Sequence, residues 1–123
     1  MRWTVLCSIF LLFVVGFSLT ANATALRIVV VKTDDPAQYV QELEKGKALM
    51  KKAGSPIVLR VWQARFAGDE TGTVVASAEY PDLAALAADD ARMAENAELR
   101  EWLKGLDKIR KIVSDSIYME LKP

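Results

Sequence analysis

Residues 56–80 read PIVLRVWQARFAGDETGTVVASAEY, two runs rich in β-branched and aromatic residues around a short polar insert. The pattern predicts a strand over Pro56–Phe66, a loop AGDETG (Ala67–Gly72) with two glycines free to take positive φ, and a returning strand over Thr73–Tyr80. Side chains alternate along a strand, so Leu59, Val61, Gln63 and Arg65 share one face, and Arg60, Trp62, Ala64 and Phe66 share the other. If the hairpin closes with Ala67 facing Gly72, Trp62 stands opposite Ser77 and Arg60 opposite Glu79. That ion pair across the strands is worth a few tenths to about 1 kcal/mol.

Around the hairpin the chain repeats one theme. LRIVVVKT (Leu26–Thr33) reads as a strand. Asp35 and Pro36 then open a helix to about Ala53, with Tyr39, Leu43, Gly46 and Met50 on one face, and Gly54 and Pro56 end it. After the hairpin, Asp82 caps a helix with Leu83, Leu86 and Ala87 on one face. Its phase weakens near Glu95–Asn96, where Asn96 can cap a new segment. That segment carries an apolar stripe of Leu99, Trp102, Leu103, Leu106 and Ile109. Ile112–Leu121 reads as the last strand, with Val113, Ile117 and Met119 set against Ile112 and Tyr118. The order strand, helix, strand, strand, helix, strand is the split βαβ pattern of a ferredoxin-like α+β fold, an antiparallel four-stranded sheet with its helices on one face.

Two helices cover only one side of such a sheet. The other side, with Trp62, Phe66, Val29 or Val30 and Tyr118, would be a large apolar surface in water. A second copy of the same sheet, related by a two-fold axis, buries it, so a homodimer is expected.

The element order, the hairpin RVWQARFAGDETGTVVASAEYPDLAALAAD and the late strand SDSIYMEL resemble the dimeric α/β-barrel superfamily, over about Leu26–Leu121. That group includes antibiotic-biosynthesis-type monooxygenases, NIPSNAP-like proteins and stress-responsive barrel proteins. The resemblance implies two ferredoxin-like units joining their sheets into a barrel, often with a pocket between each sheet and its helices. It supplies no universal catalytic motif to lay onto this chain.

The first 25 residues, MRWTVLCSIFLLFVVGFSLTANATA, differ in kind. One early cation, Arg2, precedes an apolar run from about Val5 to Leu19, and ANA and ATA both satisfy the small-x-small rule for cleavage. This reads as a cleavable signal peptide over residues 1–25, followed by one domain over 26–123. The mature chain is then periplasmic or secreted, with no membrane attachment. It has lost Cys7, the single cysteine, and folds in an oxidising compartment without a disulfide. The full chain carries 16 basic and 16 acidic residues, and loss of Arg2 leaves the mature part near neutrality. A balanced chain has no general electrostatic reason to bind nucleic acid.

The 123-residue sequence holds no histidine. Imidazole ligation of haem or zinc is excluded, as is a histidine base, and the haem role that histidine plays in some superfamily members cannot transfer. Loss of Cys7 removes thiolate chemistry, and AGDETG lacks the spacing of a phosphate loop. No cofactor or metal is expected. Asp34–Asp35 reads as a helix cap. Asp89 and Asp90 diverge on their helix, and Asp115 is a candidate buried base or a polar contact at a dimer seam. Arg60 and Trp62 are either a dimer-interface pair or a platform for a flat ligand with an anionic group. Tyr80 and Tyr118 are structural, or donate hydrogen bonds to a phenol- or quinone-like compound. Together with Arg65 and Trp102 these form the candidate ligand set: Arg60, Trp62, Arg65, Tyr80, Trp102 and Tyr118. The expected function is an exported homodimer that binds a small apolar or aromatic ligand or acts structurally. The alternative is a cofactor-independent oxygenase or isomerase acting on an aromatic or polyketide-like compound.

Overall fold

A computed structural model of the chain describes residues 23–122. The expected leader lies outside the described residues as far as residue 22. The elements are β1 (Ala25–Lys32), α1 (Pro36–Lys52), β2 (Val58–Gln63), a 3-10 turn (Gly68–Glu70), β3 (Val74–Tyr80), α2 (Leu83–Glu95), α3 (Ala97–Asp107) and β4 (Lys111–Met119). The sheet order is β2-β3-β1-β4, with every neighbouring pair antiparallel. That order and connectivity are those of the ferredoxin-like α+β fold.

The helix ends follow from named side chains. The Asp35 carboxylate accepts from Gln38 N at 3.0 Å, with Pro36 at the first helical position. Asp82 accepts from Ala85 N at 2.8 Å. Asn96 has extended backbone (φ −90°, ψ 113°) and accepts from Leu99 N at 3.1 Å, so one residue both ends α2 and starts α3. Each cap satisfies a helix N–H that would otherwise lack a partner, worth about 1 kcal/mol. Gly54, at φ 85°, lets the chain leave α1 in a conformation that a side chain would disfavour.

The core lies between the sheet and the helices. Ala25, Val31, Leu59, Val74, Ala76, Ala78 and Tyr80 from the sheet meet Tyr39 and Leu43 of α1, Leu86 of α2 and Leu106 of α3. All four residues predicted for the buried face of α1 are buried. On α2 the phase differs: Leu86 and Asp89 are buried, whereas Leu83 and Ala87 are exposed. The helix turns a carboxylate inward where hydrophobicity alone had favoured alanine.

The hairpin closes two residues earlier than expected. Ala64 N donates to Thr73 O at 3.0 Å and Gly72 N donates to Ala64 O at 2.8 Å, Arg60 stands opposite Ser77, and Trp62 stands opposite Val75. Glu79 is opposite Val58, so the expected Arg60–Glu79 pair does not form. The cause is the loop. Gly68 and Gly72 take positive φ, and the 3-10 turn between them is closed by Thr73 Oγ1 donating to Glu70 O at 2.6 Å. The insert thereby occupies residues 65–72, and Arg65 and Phe66 leave the strand. A shift of two preserves the division of faces.

β4 carries the other departure. Its register against β1 shifts between Val30 and Val31, placing Ile112 opposite Val31 and Tyr118 opposite Leu26. Ile112 therefore lies on the helix side and Tyr118 on the outer side, not together as the alternation predicted. An inserted residue reverses the facing of everything beyond it.

Candidate functional site

Between the helix-facing side of the sheet and the helices lies a cavity of ≈ 410 Å³. Its floor is Val29, Leu59, Ala76 and Ala78, three strands' worth of small or branched side chains that leave space above them. Leu43 and Met50 of α1 and Leu99, Trp102, Leu103 and Leu106 of α3 form the walls. Trp102 lies against α1 because residue 46 has no side chain: a Cβ there would sit 2.1 Å from Trp102 Cζ2. Its indole N–H donates to Glu42 O at 2.8 Å, which fixes the ring.

The polar part of the lining consists of arginines held by aspartates. Arg27 of β1 donates from Nε and Nη2 to the two carboxylate oxygens of Asp115 on β4, at 2.9 and 2.7 Å. Its Nη1 reaches Asp90 of α2 at 3.1 Å. These bonds from Arg27 hold the Asp115 carboxyl below the usual carboxylate range, against the opposing effect of burial, and hold the guanidinium above its own. Arg110 donates from Nε and Nη2 to Asp107 Oδ1, at 3.1 and 2.9 Å, and from Nη1 to the Tyr39 hydroxyl at 3.3 Å.

Asp89 is 5% exposed. It accepts from Arg92 Nη1 at 2.6 Å and from the Ser55 hydroxyl, whose oxygen in turn accepts from Ile57 N at 3.1 Å. This chain ties α2 to the segment between α1 and β2. Tyr80 faces it. Burial, and then the charge of Asp89, push the Tyr80 phenol well above its ordinary range, so it remains a neutral hydroxyl. Among the described residues, no group of three or more His, Cys, Asp or Glu could hold a metal ion.

Of the six residues singled out in the sequence, Tyr80 and Trp102 line the cavity. Arg60, Trp62 and Tyr118 belong to the outer side of the sheet, and Arg65 is exposed in the hairpin loop. Trp62 is 53% exposed and donates to Ser77 Oγ at 2.8 Å, and Tyr118 is 56% exposed. Asp115, a candidate for the dimer seam, is on the helix side with Arg27. Sequence reasoning passed over Arg27, Ser55, Arg92 and Arg110. Arg27 did carry a signal: it is a cation on the same strand face as Val29 and Val31, and a buried-side cation calls for an anion nearby.

No protein-family model matches the sequence, and no curated protein matches it. Two solved structures are similar in fold. One is a conserved protein of unknown function from Bacteroides thetaiotaomicron, described as a possible oxidoreductase. It has a TM-score of 0.59 and 12% identity, covering 81% of this chain and 100% of that one. The other is a variant of SnoaB, a cofactor-independent oxygenase from Streptomyces nogalater. It has a TM-score of 0.57 and 15% identity, covering 84% of this chain and 97% of that one. At these identities the likeness establishes the shared fold and carries no residue roles.

Proposed function

We propose that the protein binds a small apolar or aromatic molecule in the cavity between sheet and helices. The observation that supports this is the ≈ 410 Å³ space itself, walled by aliphatic side chains and Trp102, with arginines, aspartates and Tyr80 completing its lining. Ala76 and Ala78, small and buried, leave that space open above the sheet. Calorimetric titration with a naphthol tests the reading. Saturable binding at one site per chain is expected, abolished by Ala76→Phe, which fills the floor. Absence of binding, or binding unaffected by that substitution, contradicts it.

A second reading follows from the likeness to SnoaB. In that reading an aromatic or polyketide-like substrate would lose a proton and pass electrons from its carbanion to O2, one oxygen atom entering the product and the other leaving as water. The substrate is then its own reductant. The reaction needs a proton acceptor, and Asp115, held ionised by Arg27, is a weak one. Binding is therefore the preferred reading. Oxygen uptake in the presence of an acidic aromatic or polyketide-like compound would reverse that preference.

Two further properties belong to the proposal. The chain is exported and cut after Ala23. β1 begins at Ala25, which is fully buried, and Glu120 N donates to Thr24 O at 2.9 Å, so a cut after Ala25 would remove residues the fold uses. N-terminal sequencing of the exported protein should give Thr24 first. Leu26 in that position would refute it. The outer side of the sheet pairs with a second copy, because Trp62, Val58 and Tyr118 are exposed there beside the half-buried Ile28 and Val75.

A further inference from the structure

The same cavity carries information about the charge of its ligand. Three arginines and four aspartates line it, leaving one formal negative charge. Each guanidinium is already engaged: Arg27 with Asp115, Arg92 with Asp89, and Arg110 with Asp107. A carboxylate or sulfonate entering this space would have to break a bond of Arg27 or Arg110, whose Nε, Nη1 and Nη2 are all engaged, and would find spare donors on Arg92 alone. It would also face the surplus anion, a repulsion that solvent weakens at the rim and that low salt makes measurable.

The surplus can be located. Arg27 gives both ends of its fork to Asp115, in two parallel bonds, and only a single bond to Asp90 at 3.1 Å. The Asp90 side chain is 57% exposed, at the rim, with Oδ1 turned to Arg27. The Trp102 N–H, the one donor of the apolar wall, is spent on Glu42 O. Unused acceptor capacity and negative charge thus coincide at Asp90, where the cavity opens beside α2.

We propose that the cavity selects ligands by charge, taking an apolar or aromatic body with a cationic, hydrogen-bond-donating head such as a protonated amine set against Asp90, and rejecting the corresponding acid. This rests on the binding reading above and sharpens it to a ligand class. The three molecules that test it share one ring system: a naphthylmethylamine, a naphthol and a naphthoate, each titrated calorimetrically into the protein at low salt. The amine is expected to bind at least about tenfold more tightly than the naphthoate, with the naphthol between them. Asp90→Asn should bring amine and naphthoate within about threefold of each other. Equal binding of amine and acid, tighter binding of the acid, or an undiminished preference in Asp90→Asn overturns the charge selection and leaves the cavity intact as a site. Failure of all three probes overturns the site and the selection together.

Discussion

Gly46 is required by one aromatic ring. The 2.1 Å separation from Trp102 Cζ2 to any Cβ at this position cannot be absorbed by a small rotation, because the indole N–H is fixed on Glu42 O. Gly46→Ala should destabilise the protein by about 1–3 kcal/mol through overpacking, despite alanine's better helix propensity. Urea denaturation measures the loss, and a change in near-ultraviolet circular dichroism should accompany it as Trp102 moves. An unchanged or raised midpoint would show that the contact yields. The position of Gly46 on the buried face is legible from its spacing with Tyr39, Leu43 and Met50. The contact with Trp102 is not legible, since it joins residues 56 apart in sequence through the packing of α1 on α3. Asp89 presents the same limit. The sequence shows a carboxylate on a helix, and only the fold reveals that Ser55 and Arg92 make its burial tolerable.

At the scale of elements, the β1–β4 pair is tied by backbone ladder and by the Arg27–Asp115 fork. The Asp115 carboxyl is lowered in the folded state, so its contribution is present above the unfolded carboxylate range and is lost as pH falls through the folded value. Both side chains are about a third exposed, which limits the pair to about 1 kcal/mol or less at neutral pH. Asp115→Asn should lower the urea midpoint slightly at about pH 7 and give a shallower decline toward about pH 3 than the parent shows. Parallel acid limbs would remove the pair from the pH dependence. Element type and order are readable because caps, turn glycines and periodicity agree with one another. Register is less readable. The hairpin depends on how many residues its turn consumes, and β4 depends on an irregularity opposite Val30 and Val31 that no turn residue announces. The even shift in the hairpin left its faces intact, whereas the irregularity in β4 moved Ile112 into the cavity lining.

For the whole molecule, the division of the sheet into two sides organises both proposals. The helix side holds the cavity with Tyr80 and Trp102, and the outer side holds Arg60, Trp62 and Tyr118. Light scattering should give a dimer mass at micromolar concentration. Trp62→Glu, which places a charge at the centre of the outer side, should give a monomer that keeps its fold by far-ultraviolet circular dichroism. A monomeric parent protein would remove the dimer. The six candidate residues fell on both sides because composition identifies aromatic and basic side chains suited to ligands, while strand register decides which way they point. The central claim is that the cavity is a binding site. Its most direct test is native mass spectrometry of the protein purified from its native source, compared with Ala76→Phe. A small adduct on the parent protein, absent from the variant, is the result the cavity predicts. Adduct-free spectra for both, or the same adduct on both, would contradict it.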